Sequence, residues 1–216
     1  MTAQNDISII SPNMIKLFLE CPRKFYFQYI EQIPSPHLDK NFVAGKNIHS
    51  AASYYLNGGD IAKFEQVLTP TEKEYWSVLK SNPYYNFEVI GIEKKITMRL
   101  GEFWIGGRID AIVRNNNDYY ILDYKTGGVK KDMIYDPQTM VYLLMCDELY
   151  SCAGLTFVYL DLKNNSEVKI LLTDSLKAEY KSKLSDLCVK IQDFNIKKTV
   201  FKQGCCCEYL SICEFL

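Results

Sequence analysis

The stretch Gly106–Gly128, GGRIDAIVRNNNDYYILDYKTGG, limits what this chain can fold into more than any other. Ile109-Asp110-Ala111-Ile112-Val113 is β-branched and alternating, as a half-buried strand should be. Arg114 to Asp118 is a polar cluster whose Asn and Asp side chains tolerate a tight turn. Tyr119 to Lys125 then reads as a second strand running to a Thr-Gly-Gly stop. A two-residue turn at Asn116-Asn117 pairs Asn115 with Asp118, and a four-residue loop pairs Arg114 with Tyr119. Either way Asp110 is expected opposite Asp123, with Cβ atoms about 4.5–5.5 Å apart. Lys125 shares a face with Asp123 because strand side chains alternate.

Two negative charges about 5 Å apart repel by roughly 3 kcal/mol at an effective dielectric near 20. A purely structural hairpin avoids that cost with Thr or Val at either site. A divalent cation between the carboxylates turns repulsion into attraction, and hard oxygen ligands suit Mg²⁺ or Mn²⁺. Lys125 cannot bind such an ion but can hold a phosphate oxygen or a water. The alternative is a solvated face on which Lys125 neutralises the two acids. Spacing alone leaves both open.

At 216 residues the chain has the size of one good-sized domain. Its formal charge of −1 means that any nucleic-acid site must be local. The opening MTAQNDISII lacks a basic start followed by an apolar core, so no secretory leader is expected. No apolar run approaches the ~20 residues needed to cross a bilayer. Eight cysteines without a leader argue for a reducing, cytoplasmic setting rather than a disulfide framework. Cys146, Cys152 and Cys188 have apolar neighbours and read as buried small hydrophobes. Cys205, Cys206, Cys207 and Cys213 crowd the tail, where several thiolates within short reach select Zn²⁺ or an iron–sulfur cluster. No Gly-x4-Gly-Lys-Ser/Thr phosphate loop occurs, so the chain is not itself a helicase motor.

Ser11-Pro12 should open a helix, interrupted at Pro22 and continuing to about residue 30. A second helix is expected over 42–56, with His49 off its apolar stripe; a lone histidine there is ordinarily a surface or hydrogen-bonded residue. One or two helices fall within 61–81, then two strands within 89–105 that break near Leu100-Gly101-Glu102. Lys130 and Lys131 form a basic spot after the hairpin. Asp136-Pro137 starts a helix on which Gln138 and Tyr142, four apart, share a face. Strands over 155–159 and 168–172 follow, and Asp174-Ser175 should cap a last helix to about Ile196.

Asp110, with Asp123-Tyr124-Lys125-Thr126-Gly127 following it, resembles the PD-(D/E)XK nuclease superfamily. The likeness is to its RecB-type branch, which includes the small CRISPR-adaptation exonucleases. Cys21-Pro22-Arg23-Lys24-Phe25, Gly45-x3-His49 and Gln138-x3-Tyr142 match further motifs of that branch in the right order, so the resemblance covers most of the chain. It implies a single nuclease domain over 1–216 of α/β class, a restriction-endonuclease-like mixed sheet flanked by helices. The metal core would span about 43–172, with an N-terminal helix at 11–30 and a Cys-rich tail at 198–216. It implies Mg²⁺ or Mn²⁺ held by His49, Asp110, Asp123 and the backbone carbonyl of Tyr124, with Lys125, Gln138 and Tyr142 completing the catalytic set. RecB-type domains often carry an acidic residue on the preceding strand, where Glu93 stands; followed by Lys94 and Lys95, Glu93 reads equally well as a surface position. Arg23, Lys24, Lys130 and Lys131 are candidate phosphate contacts, or simply solvated charges.

In many relatives one amino-end cysteine and three carboxyl-end cysteines hold a [4Fe–4S] cluster. Cys21, Cys207 and Cys213 match that pattern, but Gly204 stands where the remaining ligand belongs, so Cys205 or Cys206 would have to serve. Zn²⁺ is the alternative occupant. The function implied is a metal-dependent deoxyribonuclease, an exonuclease on single-stranded DNA or DNA ends in recombination, repair, phage or CRISPR-related processing. A helicase or CRISPR-adaptation protein would be its partner. The rival readings are a catalytically idle DNA-binding module and a Cys-rich metal-binding interaction protein.

Overall fold

The five strands form one mixed sheet in chain order: β1 (Glu88–Leu100), β2 (Phe103–Asn115), β3 (Asp118–Lys125), β4 (Gly154–Asp161) and β5 (Ser166–Leu171). All neighbours are antiparallel except β3 and β4, which run parallel and are joined through helix α6 (Pro137–Leu149). A parallel pair needs such a crossover, because a short turn cannot return the chain to the same end of the sheet. The computed structural model describes residues 7–34, 40–150, 153–201, 205 and 207–213, with the backbone alone described over 40–44.

The helices that precede the sheet are α1 (Pro12–Glu20), α2 (Pro22–Phe25), α3 (Lys40–Leu56), α4 (Ala62–Val67) and α5 (Pro70–Lys80). Those that follow α6 are α7 (Asp174–Gln192) and the short α8 (Leu210–Cys213). Ser11 caps α1 and Pro12 takes its first position, as the sequence suggests. Pro22 restarts the chain as α2, which runs into a π-helical turn over Tyr26–Ile30. The helix over the carboxyl half begins one residue earlier than Asp174-Ser175 implies. Thr173 is its cap, accepting from the Leu176 N–H, and the helix ends at Gln192.

Each sheet face carries its own core. On one face Ile112, Ile121, Phe157 and Tyr159 pack with Met140, Val141 and Leu144 of α6, with Tyr180 and Leu184 of α7, and with Ile15 of α1. From Thr139 to Cys146 helix α6 is buried all round, which is the environment of a helix apolar on every side. On the other face Ala111, Val113, Leu122 and Val158 pack with Ile48, Ala51 and Ala52 of α3 and with Trp76 and Leu79 of α5. Helix α5 starts in a reciprocal cap between Thr69 and Glu72, and the same Glu72 accepts from Asn47 Nδ2 at 2.7 Å, which fixes α3 against it. One helix from each layer therefore borders the end of the β2–β3 hairpin, α3 on one side and α6 on the other.

The hairpin register is the one expected, from Asn115 opposite Asp118 to Ala111 opposite Leu122. The ladder stops there, one pair short of Asp110 and Asp123. The Asp110 carboxylate takes over instead, accepting the Tyr124 N–H at 3.2 Å. The strands part at this point, and the gap opens between α3 and α6. Cys146 and Cys188 are fully buried as expected, while Cys152 lies outside the described residues.

Candidate active site

At the parted end of the hairpin a cavity of about 940 Å³ is bordered by Asp110, Glu93, His49, Gln138 and Tyr142, with the start of α1 on its rim. His49, Glu93 and Asp110 each place one nitrogen or oxygen within 4.8 Å of the others, all half-buried. They come from α3, β1 and β2, and only the fold brings them together. His49 Nδ1 lies 3.2 Å from Asp110 Oδ1, and His49 Nε2 lies 3.1 Å from the Tyr124 carbonyl. The carbonyl and the carboxylate both only accept, so the charged imidazole donates from both nitrogens, and Nδ1, which faces Asp110, is the atom that could ligate once it gives up its hydrogen. Burial works against charging His49, but the Asp110 hydrogen bond and charge, and then Asp123, outweigh it and raise its pKa.

Asp123 and Lys125 lie against the cavity wall rather than on it. Asp123 is only 4% exposed. Gln138 Nε2 donates to Asp123 Oδ1 at 3.1 Å, and Gln138 Oε1 accepts from Lys125 Nζ at 2.9 Å. Lys125 Nζ also sits 2.7 Å from Asp123 Oδ2, an ion pair in which Oδ2 still lacks an aligned hydrogen-bond donor. One amide thus holds a carboxylate and an ammonium in fixed relation. Burial first, and the neighbouring Asp110 next, push the Asp123 carboxyl up to about 6 despite the opposing pull of Lys125. Lys125 is burdened by burial, yet Asp123 more than compensates and its pKa rises.

Tyr142 donates its hydroxyl to the Arg108 carbonyl at 3.0 Å. Its ring passes so close to β2 that a Cβ on Gly107 would meet Cε1 at 2.5 Å; only glycine fits there. Burial, with Asp123 nearby, lifts the Tyr142 phenol to about 12, so it stays a neutral donor.

The donor set fits a hard divalent cation. It offers one imidazole nitrogen from His49 and carboxylate oxygens from Glu93 and Asp110. Glu93 is the member that sequence patterning left undecided. Its backbone is left-handed at φ 48°, and Arg108 Nε anchors its carboxylate at 2.9 Å. A non-glycine residue there costs on the order of 1–3 kcal/mol and is found mainly at working sites. Strand alternation carries no sign of it.

Two of the expected phosphate contacts are employed elsewhere. Arg23 is 5% exposed, donating from Nη2 to the Cys213 carbonyl at 2.6 Å and from Nε to Cys213 Sγ at 3.1 Å. It is a tie between the amino-terminal helices and the tail, not a surface cation. Lys24 pairs with Glu208 of the same tail at 3.0 Å. Lys130 and Lys131 are exposed on the loop between β3 and α6.

Cys21, Cys205 and Cys207 are electrostatic neighbours. Burial raises the Cys207 thiol, and Cys205 and Cys21 raise it further. Among the described residues, however, no three cysteines close to ligand spacing, and Cys206 lies outside them. No helix among the described residues is long and apolar enough to cross a membrane.

The CRISPR-associated exonuclease Cas4 of Francisella tularensis subsp. novicida (strain U112) is 23% identical over 212 residues, covering 97% of this chain and 95% of its own. The crystal structure of a candidate exonuclease from Eubacterium rectale superposes with a TM-score of 0.58 over 92% of this chain and 91% of that one. At 11% identity it shows the shared restriction-endonuclease-like fold alone. The model of the PD-(D/E)XK nuclease superfamily matches residues 9–84 and 62–214. With the two hairpin acids, the lysine two residues on and the helix-borne glutamine all gathered at one end of a mixed sheet, the chain belongs to the PD-(D/E)XK nuclease superfamily and is a metal-dependent nuclease.

Proposed function

We propose that this nuclease is a deoxyribonuclease of RecB type, a single domain over 1–216 that degrades single-stranded DNA or DNA ends from a terminus. The observation that carries this reading is the closure of His49, Glu93 and Asp110 at the cavity wall beside the Asp123–Lys125–Gln138 clamp. The relative named a CRISPR-associated exonuclease supports both an end-directed mode and DNA as substrate. It also supports a CRISPR-adaptation protein as partner, with a helicase the alternative. A cytoplasmic setting follows from that role.

His49 Nδ1, Asp110 and Asp123 would hold Mg²⁺ or Mn²⁺, with the second lone pair of the Tyr124 carbonyl available and Glu93 closing the set. A divalent ion bound there supplies Lewis-acid polarisation of the phosphate and a water of lowered pKa. Lys125 keeps an ammonium fixed where negative charge develops on the phosphate, and a charge already oriented costs no reorganisation during reaction. Gln138 sets the position of that ammonium, and Tyr142 fixes α6 against β2 so that the clamp keeps its geometry. Lys130 and Lys131, exposed beside the site, are placed to meet the DNA backbone.

The tail reading is that Cys21, Cys205, Cys207 and Cys213, or Cys206 in place of Cys205, hold a [4Fe–4S] cluster joining the two ends of the domain. The shared environment of Cys21, Cys205 and Cys207 supports it, as does the Arg23 donor on Cys213 Sγ. Anaerobically purified protein should then be brown, absorbing near 400 nm; a colourless, zinc-containing preparation would replace the cluster with Zn²⁺.

The activity is tested by incubating end-labelled linear and circular single strands with Mg²⁺ or Mn²⁺. Wild type should degrade the linear strand, while Asp123→Ala and Lys125→Ala should be inactive. Equal activity in all three proteins would overturn the site, and rapid cutting of the circle would overturn the exonuclease mode.

A further inference from the structure

The cavity extends well beyond the cluster of acids, along one side of α3. Lys46, Ser50, Ser53, Tyr54 and Asn57 line that extension. Positions 46, 50, 53 and 57 are three or four residues apart and form one stripe on the helix. His49, at the metal end, stands on the same helix between Lys46 and Ser50. The stripe carries no acidic side chain; the cavity's carboxylates are Glu93 and Asp110, both at the metal end. A wall of hydroxyls, one amide and one ammonium suits a phosphate–sugar backbone that has already been neutralised in part.

Tyr54 does not belong to this polar pattern. It is a large aromatic, 47% exposed, and it lines the cavity. Gly59 holds it from behind. A Cβ at Gly59 would meet Tyr54 Cε1 and Cζ at 2.5 Å and Cδ1 at 2.7 Å, so the ring lies against the bare backbone. The return of the chain supports this seat, with the Gly59 N–H donating to the Tyr54 carbonyl at 3.0 Å and Asn57 Nδ2 to the Ser53 carbonyl at 2.7 Å. An exposed ring with its back fixed presents one free face. Bases stack on such a face whatever their sequence, but only when they are unpaired.

We propose that Tyr54, seated on Gly59, is the stacking platform for an unpaired base of the substrate strand, and that Asn57, Ser53 and Ser50 carry that strand's backbone along α3 to the metal site, with Lys46 about one turn beyond His49. Tyr54 lies five residues beyond His49, about 7.5 Å along the helix axis. That distance is about two nucleotides at a stacked spacing of 3.4 Å. The platform gives the enzyme its preference for single strands, because a paired base cannot offer its face at that position. This inference rests on the nuclease site being where DNA is cut, and it adds how the uncut part of the strand is gripped.

The test separates grip from cutting. Binding of a fluorescein-labelled oligothymidylate is measured on full-length Asp123→Ala protein in EDTA, where no hydrolysis occurs, with and without changes at Tyr54. Tyr54→Ala and Tyr54→Leu should weaken binding about tenfold or more, the range for losing one stacked base. Tyr54→Phe should restore it, and Gly59→Ala, which displaces the ring but keeps the phenol, should behave like Tyr54→Leu. A 2-aminopurine placed two nucleotides from the scissile phosphate should be quenched on binding, and the quench should vanish in Tyr54→Leu. Equal affinity and equal quenching in Tyr54→Leu and its parent would overturn the platform. A wild type that binds single strands through Tyr54 but hydrolyses no DNA with any divalent ion would support the track and overturn the reaction assigned to the site.

Discussion

Gln138 is the side chain on which the site's order turns. Its amide touches both Asp123 and Lys125, and neither can shift without losing a bond to it. Gln138→Leu keeps the volume and removes both bonds. It should lower kcat by about 10- to 100-fold, as loss of a group that orients ligands commonly does, and lower stability by about 1–3 kcal/mol, because the buried Asp123 Oδ1 loses its donor. A variant with unchanged kcat would show that Lys125 is held by Asp123 alone. Glu93 makes the complementary case. Glu93→Gln keeps shape and hydrogen bonding but removes a charge from the ligand cluster. Mg²⁺ titration of activity should shift to higher concentration, while stability changes by only about 0.5 kcal/mol, since its partner Arg108 is largely exposed. Asp110, Asp123 and Lys125 were legible in sequence because hairpin register and alternation are local. Glu93 was not, because its left-handed backbone breaks the alternation from which it would have been read. Arg23 was misread for a related reason: its partner Cys213 lies 190 residues away, and nothing near Arg23 announces a buried role.

At the scale of elements, the loops around the crossover hold the β3 end in place, and Asp161 at the end of β4 organises them. Its carboxylate accepts the Val129 N–H at 2.8 Å, the Asn164 N–H at 3.0 Å and Asn164 Nδ2 at 2.8 Å. The Leu162 N–H meanwhile donates to the Lys125 carbonyl at 2.9 Å. Burial alone would raise the Asp161 pKa, but these donors outweigh it and hold it below the ordinary value. A depressed carboxylate stabilises the fold fully above its unfolded pKa, near 4, and the benefit fades as pH falls through the lower folded value. Asp161→Ala should therefore cost about 1–3 kcal/mol at neutral pH, because it removes hydrogen bonds to a charged group from the half-buried Val129 and the exposed Asn164. Below pH 4 the gap to wild type should narrow, as chemical denaturation across pH can measure; a gap that stays constant would assign Asp161 a purely steric part. The expected strands over 155–159 and 168–172 bracket this loop, but nothing in the sequence connects it to Val129. The hairpin and both helices facing the site were legible from period and caps, but the strand expected to end by 105 and the hairpin's first strand are one element, β2. The parting of β2 and β3 at Asp110 was not legible either, since it depends on α3 and α6 entering from opposite layers.

For the whole molecule, the site's charges set a linkage between metal, proton and fold. Without metal, Asp123 is buried with a pKa raised to about 6, and His49 is raised by Asp110 and Asp123. Both signs point the same way. Keeping Asp123 ionised in the fold costs nothing below its unfolded value near 4, and the cost grows as pH rises to about 6, above which it is complete. The gain from His49 is full below its unfolded pKa near 6.5 and is lost as pH rises through the higher folded value. Metal-free protein should accordingly lose stability between about pH 4 and pH 7. A divalent cation reverses the electrostatics by attracting the same carboxylates. At 100 times its dissociation constant it adds about 2.7 kcal/mol, or roughly 5–10 °C for a domain of this size. Thermal melts at pH 7 should show that rise for wild type on replacing EDTA with Mg²⁺ or Mn²⁺. Asp123→Asn in EDTA should melt above wild type at pH 7 but not at pH 4, and should gain less from the metal. A wild type whose melting temperature ignores the metal, together with an Asp123→Asn variant that melts below wild type at pH 7 in EDTA, would mean that the buried carboxylate is a structural ion pair with Lys125 and that the cation binds elsewhere.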